Sequence, residues 1–154
     1  MELSREQIQN LIREADRARA FSYAPYSHFA VGAALLGEIE VCNSCGDRGT
    51  IEHYFTGCNI ENAAFTPGNC AERTAVFKAV SEGVLKFKAI MVIGGPGGII
   101  KDYCPPCGVC RQVMMEFCNP ETFSIFLAKS ETDIIEYKLK DLLPLGFGNS
   151  DLQK

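Results

Sequence analysis

Cys107 and Cys110 stand three residues apart just after Pro105-Pro106, and Cys70 opens an earlier stretch that also reads as a helix start. In a first helical turn, residues three apart share a face, so the two later sulfurs can reach one ion together. Zinc suits such donors: it takes thiolates readily, and a catalytic zinc keeps three protein ligands and one open position. Cys70 is the natural third ligand, because a helix N-terminus offers partial positive charge and unpaired N–H groups that favour thiolate over thiol. A Cys-x-x-Cys pair by itself fits a structural zinc or a redox pair as well as catalysis. Glu72 shifts the reading toward catalysis, since a carboxylate two residues beyond Cys70 can lie beside the metal without binding it and move protons. A second reading of Glu72 stays open, because Asn69-x-x-Glu72 also has the spacing of a capping box.

The elements that position these residues follow from periodicity. Ile8, Leu11, Ile12, Ala15 and Ala18 recur at helical spacing behind Ser4 and Gln7, which predicts a capped helix over about residues 4–19. Tyr23 to Ser27 is turn-prone, and His28 to Leu36 suits a buried strand. A polar, glycine-containing loop is expected from about Gly37 to Gly49, followed by a second strand over residues 51–58. Helical spacing resumes at Cys70 and stops at Gly83. Residues 89–93 form a short apolar strand, a second site helix starts near Cys107, and 122–128 and 133–137 read as strands before a short helix at 139–143. The order αββαβαββα predicts one α/β domain over residues 1–154, with helices packed on a mixed sheet.

The 154 residues are enough for one core without covalent staples, and the formal charge of −4 comes from interspersed acids and bases. No basic stripe is available to neutralise a run of phosphates, which argues against nucleic acid as the main partner. Charges interrupt every apolar stretch of the first twenty residues, so neither a signal peptide nor a membrane span is expected. Eight cysteines without a secretory signal point to metal binding or catalysis in the cytoplasm, where thiols stay reduced.

Cys70-Ala71-Glu72-Arg73 with Pro106-Cys107-Gly108-Val109-Cys110-Arg111-Gln112 resembles the zinc-binding signature of the cytidine deaminases. Tyr26 to Leu35, Thr56 to Ala63 and Leu142 to Phe147 are similar to further segments of the small, homotetrameric, three-cysteine type. The resemblance implies a three-layer α/β/α fold with a five-stranded mixed sheet and one Zn²⁺ per subunit held by Cys70, Cys107 and Cys110. It implies hydrolysis of cytidine and deoxycytidine to uridine and deoxyuridine with release of ammonia, in pyrimidine salvage. Glu72 would take a proton from water activated by the metal, then protonate N3 and the leaving amino group of the base. Phe29 would stack on the pyrimidine, Asn59 and Glu61 would bind the ribose hydroxyls, and the Ala71 N–H would hold the base. Three thiolates leave the zinc site with one net negative charge, which Arg73 would offset by hydrogen bonding to the sulfurs. Phe147 would pack against the site of a neighbouring subunit.

One stretch departs from that pattern. Between Leu36 and Thr56 the chain carries roughly a dozen residues more than the short hairpin loop usual in such folds, including the Cys42-Asn43-Ser44-Cys45 motif in an insertion at about residues 37–50. A second metal site is conceivable there, with only two thiols evident and no partner pair assigned. Cys104 adds a thiol ahead of the ligand pair, Pro105 stands where serine is common, and Phe65 stands where tyrosine is expected. The competing readings are a deaminase of a related nucleoside-like compound and a noncatalytic zinc or redox module. Glu72 and the Asn59/Glu61 pair discriminate against the latter, which needs neither.

Overall fold

A computed structural model describes residues 2–42 and 44–152. Asn43 of the Cys42-x-x-Cys45 motif lies outside them. Helix α1 (Arg5–Arg19) starts as its sequence predicts: the Ser4 hydroxyl accepts from the Gln7 N–H, and the Gln7 side chain accepts from the Ser4 N–H. This satisfies two of the donors a helix start leaves unpaired. The buried stripe of α1 is Leu11, Ile12, Ala15 and Ala18.

Strands β1 (Phe29–Cys42) and β2 (Arg48–Cys58) form an antiparallel hairpin. Helix α2 (Ala71–Ser81) follows, then β3 (Lys86–Pro96), α3 (Gly108–Phe117), β4 (Ser124–Ala128), β5 (Ile134–Lys138) and the short α4 (Leu139–Leu142) and α5 (Asn149–Leu152). The sheet order is β2-β1-β3-β4-β5, antiparallel throughout except for the parallel pair β3 and β4. Parallel neighbours need a crossover, and the connection between them contains α3.

Alternation along the strands gives the sheet two apolar faces. Ala34, Leu36, Met91 and Phe126 pack under α1 with Leu11, Ile12 and Ala15. Leu35, Phe55, Ile90, Val92 and Ile125 face the other way and bury Ala75, Val76 and Met114 of α2 and α3. The three-layer α/β/α arrangement with a five-stranded mixed sheet is therefore the one the sequence implies.

The stretch expected as a loop from Gly37 to Gly49 is largely strand. Ladder pairs continue from Gly37↔His53 to Cys42↔Arg48, and the connection shrinks to residues 43–47. Glu38-Ile39-Glu40-Val41 and Thr50-Ile51-Glu52 alternate with the period of a strand; the interspersed glycines masked that signal. The charged side is held by Lys88, 2.8 Å from both Glu38 and Glu52, and by Lys86, 2.5 Å from Glu40. The other elements match expectation to within a few residues, apart from α5, which the sequence reading did not include.

Gly57 in β2 lets α2 approach the sheet. A Cβ there would lie 2.3 Å from the Ala71 carbonyl oxygen and 2.5 Å from the Ala75 nitrogen, both backbone atoms that cannot rotate away. Gly57→Ala must therefore push the first turn of α2 off the sheet. Taking the upper end of overpacking costs, about 3 kcal/mol, the variant's Tm should fall by roughly 6–12 °C in a thermal melt.

Candidate active site

Both site helices begin on a cysteine. Cys70 and Cys107 are the N-cap residues of α2 and α3, with the extended backbone of that position. Caps are usually Ser, Thr, Asp or Asn, whose oxygen accepts from the first helical turn. Cys107 does this with sulfur, its Sγ accepting from the Cys110 N–H at 3.4 Å. Cys70 makes no side-chain capping bond. Ala71, Ala75 and Val76 of α2 and Cys110 and Met114 of α3 belong to one buried cluster, so the two helix starts converge.

That convergence brings the three sulfurs within 4.8 Å of one another. Cys70 Sγ and Cys107 Sγ are 3.7 Å apart, and Cys107 Sγ and Cys110 Sγ are 3.4 Å apart. These are too long for a disulfide of about 2.0 Å. Three sulfurs on a tetrahedral zinc with ~2.3 Å bonds would stand about 3.8 Å apart. The donor set and its spacing fit one zinc ion per subunit. Cys110 is buried, Cys70 half-buried and Cys107 exposed, so the cluster opens to one side.

Within this cluster two thiols shift in opposite directions. Cys70 is pulled down to about 5, most of all by the Cys110 thiol, with burial opposing and Arg73 and Cys107 adding to the effect. Cys110 is pushed up, because its thiol donates to Cys70 and burial disfavours its thiolate. Arg73 donates from Nη2 to Cys70 Sγ at 3.5 Å, while its Nε is buried with no hydrogen-bond partner. Cys104 stays outside the three-sulfur group. Burial raises its thiol to about 11, and the nearby charges of Glu72 and Cys70 push the same way.

Glu72 is 4% exposed, one of two buried polar residues among those described. Burial pushes its carboxyl up to about 7; its own amide opposes the shift, and the negative charge on Cys70 reinforces it. The capping-box alternative for this residue does not hold. Cys70, not Asn69, is the N-cap, and the Asn69 side chain donates instead to Thr74 Oγ1 at 3.1 Å. Ala71 begins α2 beside it and is fully buried.

Beside the sulfurs lies a hollow of about 550 Å³, lined among others by Tyr26, Asn59, Glu61, Phe65, Cys70 and Arg73. Asn59 ties its rim together: Oδ1 accepts from the Val31 N–H at 2.8 Å and from the Ser22 hydroxyl, and Nδ2 donates to the Phe29 carbonyl at 2.7 Å. Glu61 accepts from the Tyr26 and Ser27 amides at 2.9 and 3.2 Å; the Ser27 side chain foremost, and then these amides, hold its carboxyl below the usual range. Phe29 sits at the start of β1, partly exposed. Phe147 does not line this hollow; its carbonyl accepts from Gln112 beside α3, and its ring is largely exposed. Arg111 carries a positional role that sequence reasoning missed. It donates to the Pro106 carbonyl at 2.8 Å and to the Leu142 carbonyl at 2.7 Å, bracing the start of α3 against α4. Its place next to Cys110 is the only hint the sequence offers.

Residues 5–126 match the family model of the cytidine and deoxycytidylate deaminase zinc-binding region. The chain is 47% identical over 145 residues to a cytidine deaminase of Sporosarcina psychrophila, covering 94% of each, and 44% identical over 144 residues to one of Halalkalibacterium halodurans, covering 94% of this chain and 96% of that one. The crystal structure of a cytidine deaminase from Burkholderia pseudomallei superposes with a TM-score of 0.72 at 41% identity, covering 90% of this chain and 97% of that one. Sulfur cluster, buried glutamate, fold and similarity thus agree: the chain belongs to the zinc-dependent cytidine and deoxycytidylate deaminase family.

Proposed function

We propose that the chain hydrolyses cytidine and deoxycytidine to uridine and deoxyuridine with release of ammonia, and that Glu72 is the catalytic acid and base. One observation carries the second part: a carboxyl held near neutrality by burial, two residues from a sulfur of the metal-binding cluster. A general acid and base works best when its pKa lies near the operating pH, because it must both accept and return a proton. Held by Cys70, Cys107 and Cys110, a zinc ion would supply a Lewis acid that lowers the pKa of water toward neutrality. Glu72 takes a proton from the attacking water and gives it to N3 as the C4–O bond forms, then takes the remaining hydroxyl proton and gives it to the amino nitrogen, so that the C4–N bond breaks, the C4 carbonyl forms and ammonia leaves.

Binding is divided between Asn59, Glu61 and Arg73, which line the hollow, and Phe29 and Ala71, which do not. Phe29 offers an aromatic face to the pyrimidine. The Asn59 oxygen already accepts from two donors, but one amide hydrogen of Nδ2 remains for a ribose hydroxyl. Glu61, held by two backbone amides, accepts from a second hydroxyl. The Ala71 N–H at the start of α2 holds the base, and Arg73 draws charge from the sulfurs. Recognition centred on the far side of the ribose tolerates either substituent at the 2′ position. On this reading the enzyme is a cytoplasmic homotetramer serving pyrimidine salvage, with Phe147 of each subunit covering a neighbour's site. The exposed rings of Phe65 and Phe147 fit that closure. Among the described residues no helix is long and apolar enough to cross a membrane.

Replacing Cys70, Cys107 or Cys110 by Ala should each remove most of the zinc found by metal analysis and abolish turnover of cytidine followed by ultraviolet absorbance. Glu72→Gln keeps size but cannot shuttle a proton. Its kcat should fall by ~10²–10⁴ while zinc content stays at the wild-type level. Near-normal turnover in a zinc-loaded Glu72→Gln protein would remove Glu72 from the mechanism. Solution scattering at assay concentration should give a tetramer; a fully active monomer would refute the shared-site arrangement.

A further inference from the structure

Phe29 and Glu61 come from distant parts of the chain, yet one short turn, Ala24 to His28, holds both. The His28 N–H donates to the Ala24 carbonyl at 3.0 Å and closes the segment into a single helical turn. His28 itself lies at φ +54°, one of two positive values among the described non-glycine residues. A turn closed by the N–H of a left-handed residue is a common way for a helix to end, at a position usually held by glycine and sometimes by asparagine. Histidine enters this region more often than most side chains, whereas a β-branched residue there is an outlier.

The turn serves two parts of the site. Within it, the Tyr26 and Ser27 N–H groups donate to one Glu61 oxygen at 2.9 and 3.2 Å, and the Ser27 side chain bonds the same carboxylate. At its exit, the Phe29 N–H donates to Ser27 Oγ at 3.1 Å, and the Phe29 carbonyl accepts from Asn59 at 2.7 Å. Phe29 there begins β1, opposite Pro96 of β3. His28 stands between these two sets of contacts, and its carbonyl accepts from the Gly97 N–H at 2.6 Å. Its backbone is therefore tied on both sides of the left-handed step.

Given the binding roles assigned above to Phe29 and Glu61, on which this rests, we propose that His28 is a positioning residue for the substrate. Its left-handed backbone, not its imidazole, sets Glu61 toward the ribose and Phe29 toward the base. An extended or right-handed residue 28 would send the chain out of the turn in another direction, and both groups would leave their places together. Pro25, Tyr26, Ser27 and His28 are all exposed, so little packing resists such a change. The backbone preference of residue 28 then decides what fraction of the molecules is ready to bind. The imidazole contributes little, its charge coming last among the influences that lower the Glu61 carboxyl, after the Ser27 side chain and the two amides.

Steady-state kinetics with cytidine and with deoxycytidine test this on zinc-loaded His28→Gly, His28→Asn, His28→Ala and His28→Val proteins. Glycine and asparagine accept the left-handed region, so the first two should keep KM within about twofold of wild type. His28→Val should raise KM roughly tenfold and His28→Ala by less. In all four, kcat and zinc content should stay at the wild-type level, because neither Glu72 nor the sulfurs are touched. His28→Ala, the milder change, carries the same comparison against His28→Gly should the valine protein fail to fold. An unchanged KM in His28→Val would overturn the proposal, as would an equal rise in all four variants, which would assign the role to the ring. Phe29→Ala, measured alongside, should also raise KM. A rise there without one in His28→Val would refute the role of His28 alone, and no rise in Phe29→Ala would remove the base contact and the positioning role with it.

Discussion

Three sulfur atoms within 4.8 Å, each to be stripped of its proton, set the terms for everything around them. The cluster is tolerable only because opposing charge is built in. Two helix N-termini meet there, each contributing partial positive charge, and Arg73 reaches Cys70. Cys70 is the thiol pulled down, while Cys110 is pushed up. A dication held by the three sulfurs would offset two of their three charges, with Arg73 beside Cys70 to meet the third. Burial and the negative charge on Cys70 together raise the neighbouring Glu72 carboxyl. The sulfur cluster and Glu72 are therefore one electrostatic system.

Position depends on close backbone approach. α2 can bring Cys70 to this point because Gly57 lets the helix start lie directly on β2, and on the opposite face Gly32 admits α1 in the same way, where a Cβ would meet the Ala15 carbonyl oxygen at 2.0 Å. Asn59 then joins the end of β2 to the beginning of β1, so the wall of the hollow is as firmly fixed as the sheet. Asn59 is thus a structural member of the hollow.

The sulfur cluster was legible because its signals are local: cysteine spacing and helix starts. The layer arrangement was legible because the two periodicities alternate cleanly along the chain. The hairpin extension was not, since Gly37, Gly46 and Gly49 read as a loop while the cross-strand pairing that overrides them is non-local. The capping question for Glu72 turned on a single residue of register, Cys70 rather than Asn69, beyond the resolution of pattern reading. Arg111 and the Asn59 stitching were invisible because their partners, Leu142 and Val31, lie far off in sequence.

The placement of the cluster also bears on the order in which the chain acquires its shape. The β1–β2 ribbon closes through a turn of residues 43–47, so its ordering costs little chain entropy, and α2 with Cys70 docks on that locally formed unit. Cys107 and Cys110 belong to the crossover that must complete before β4 can pair with β3, a distant and intrinsically slower contact. The sulfurs thus come from a part built of local contacts and a part that depends on a distant one. A bound ion would join them, and its binding energy would become folding energy at that distant junction.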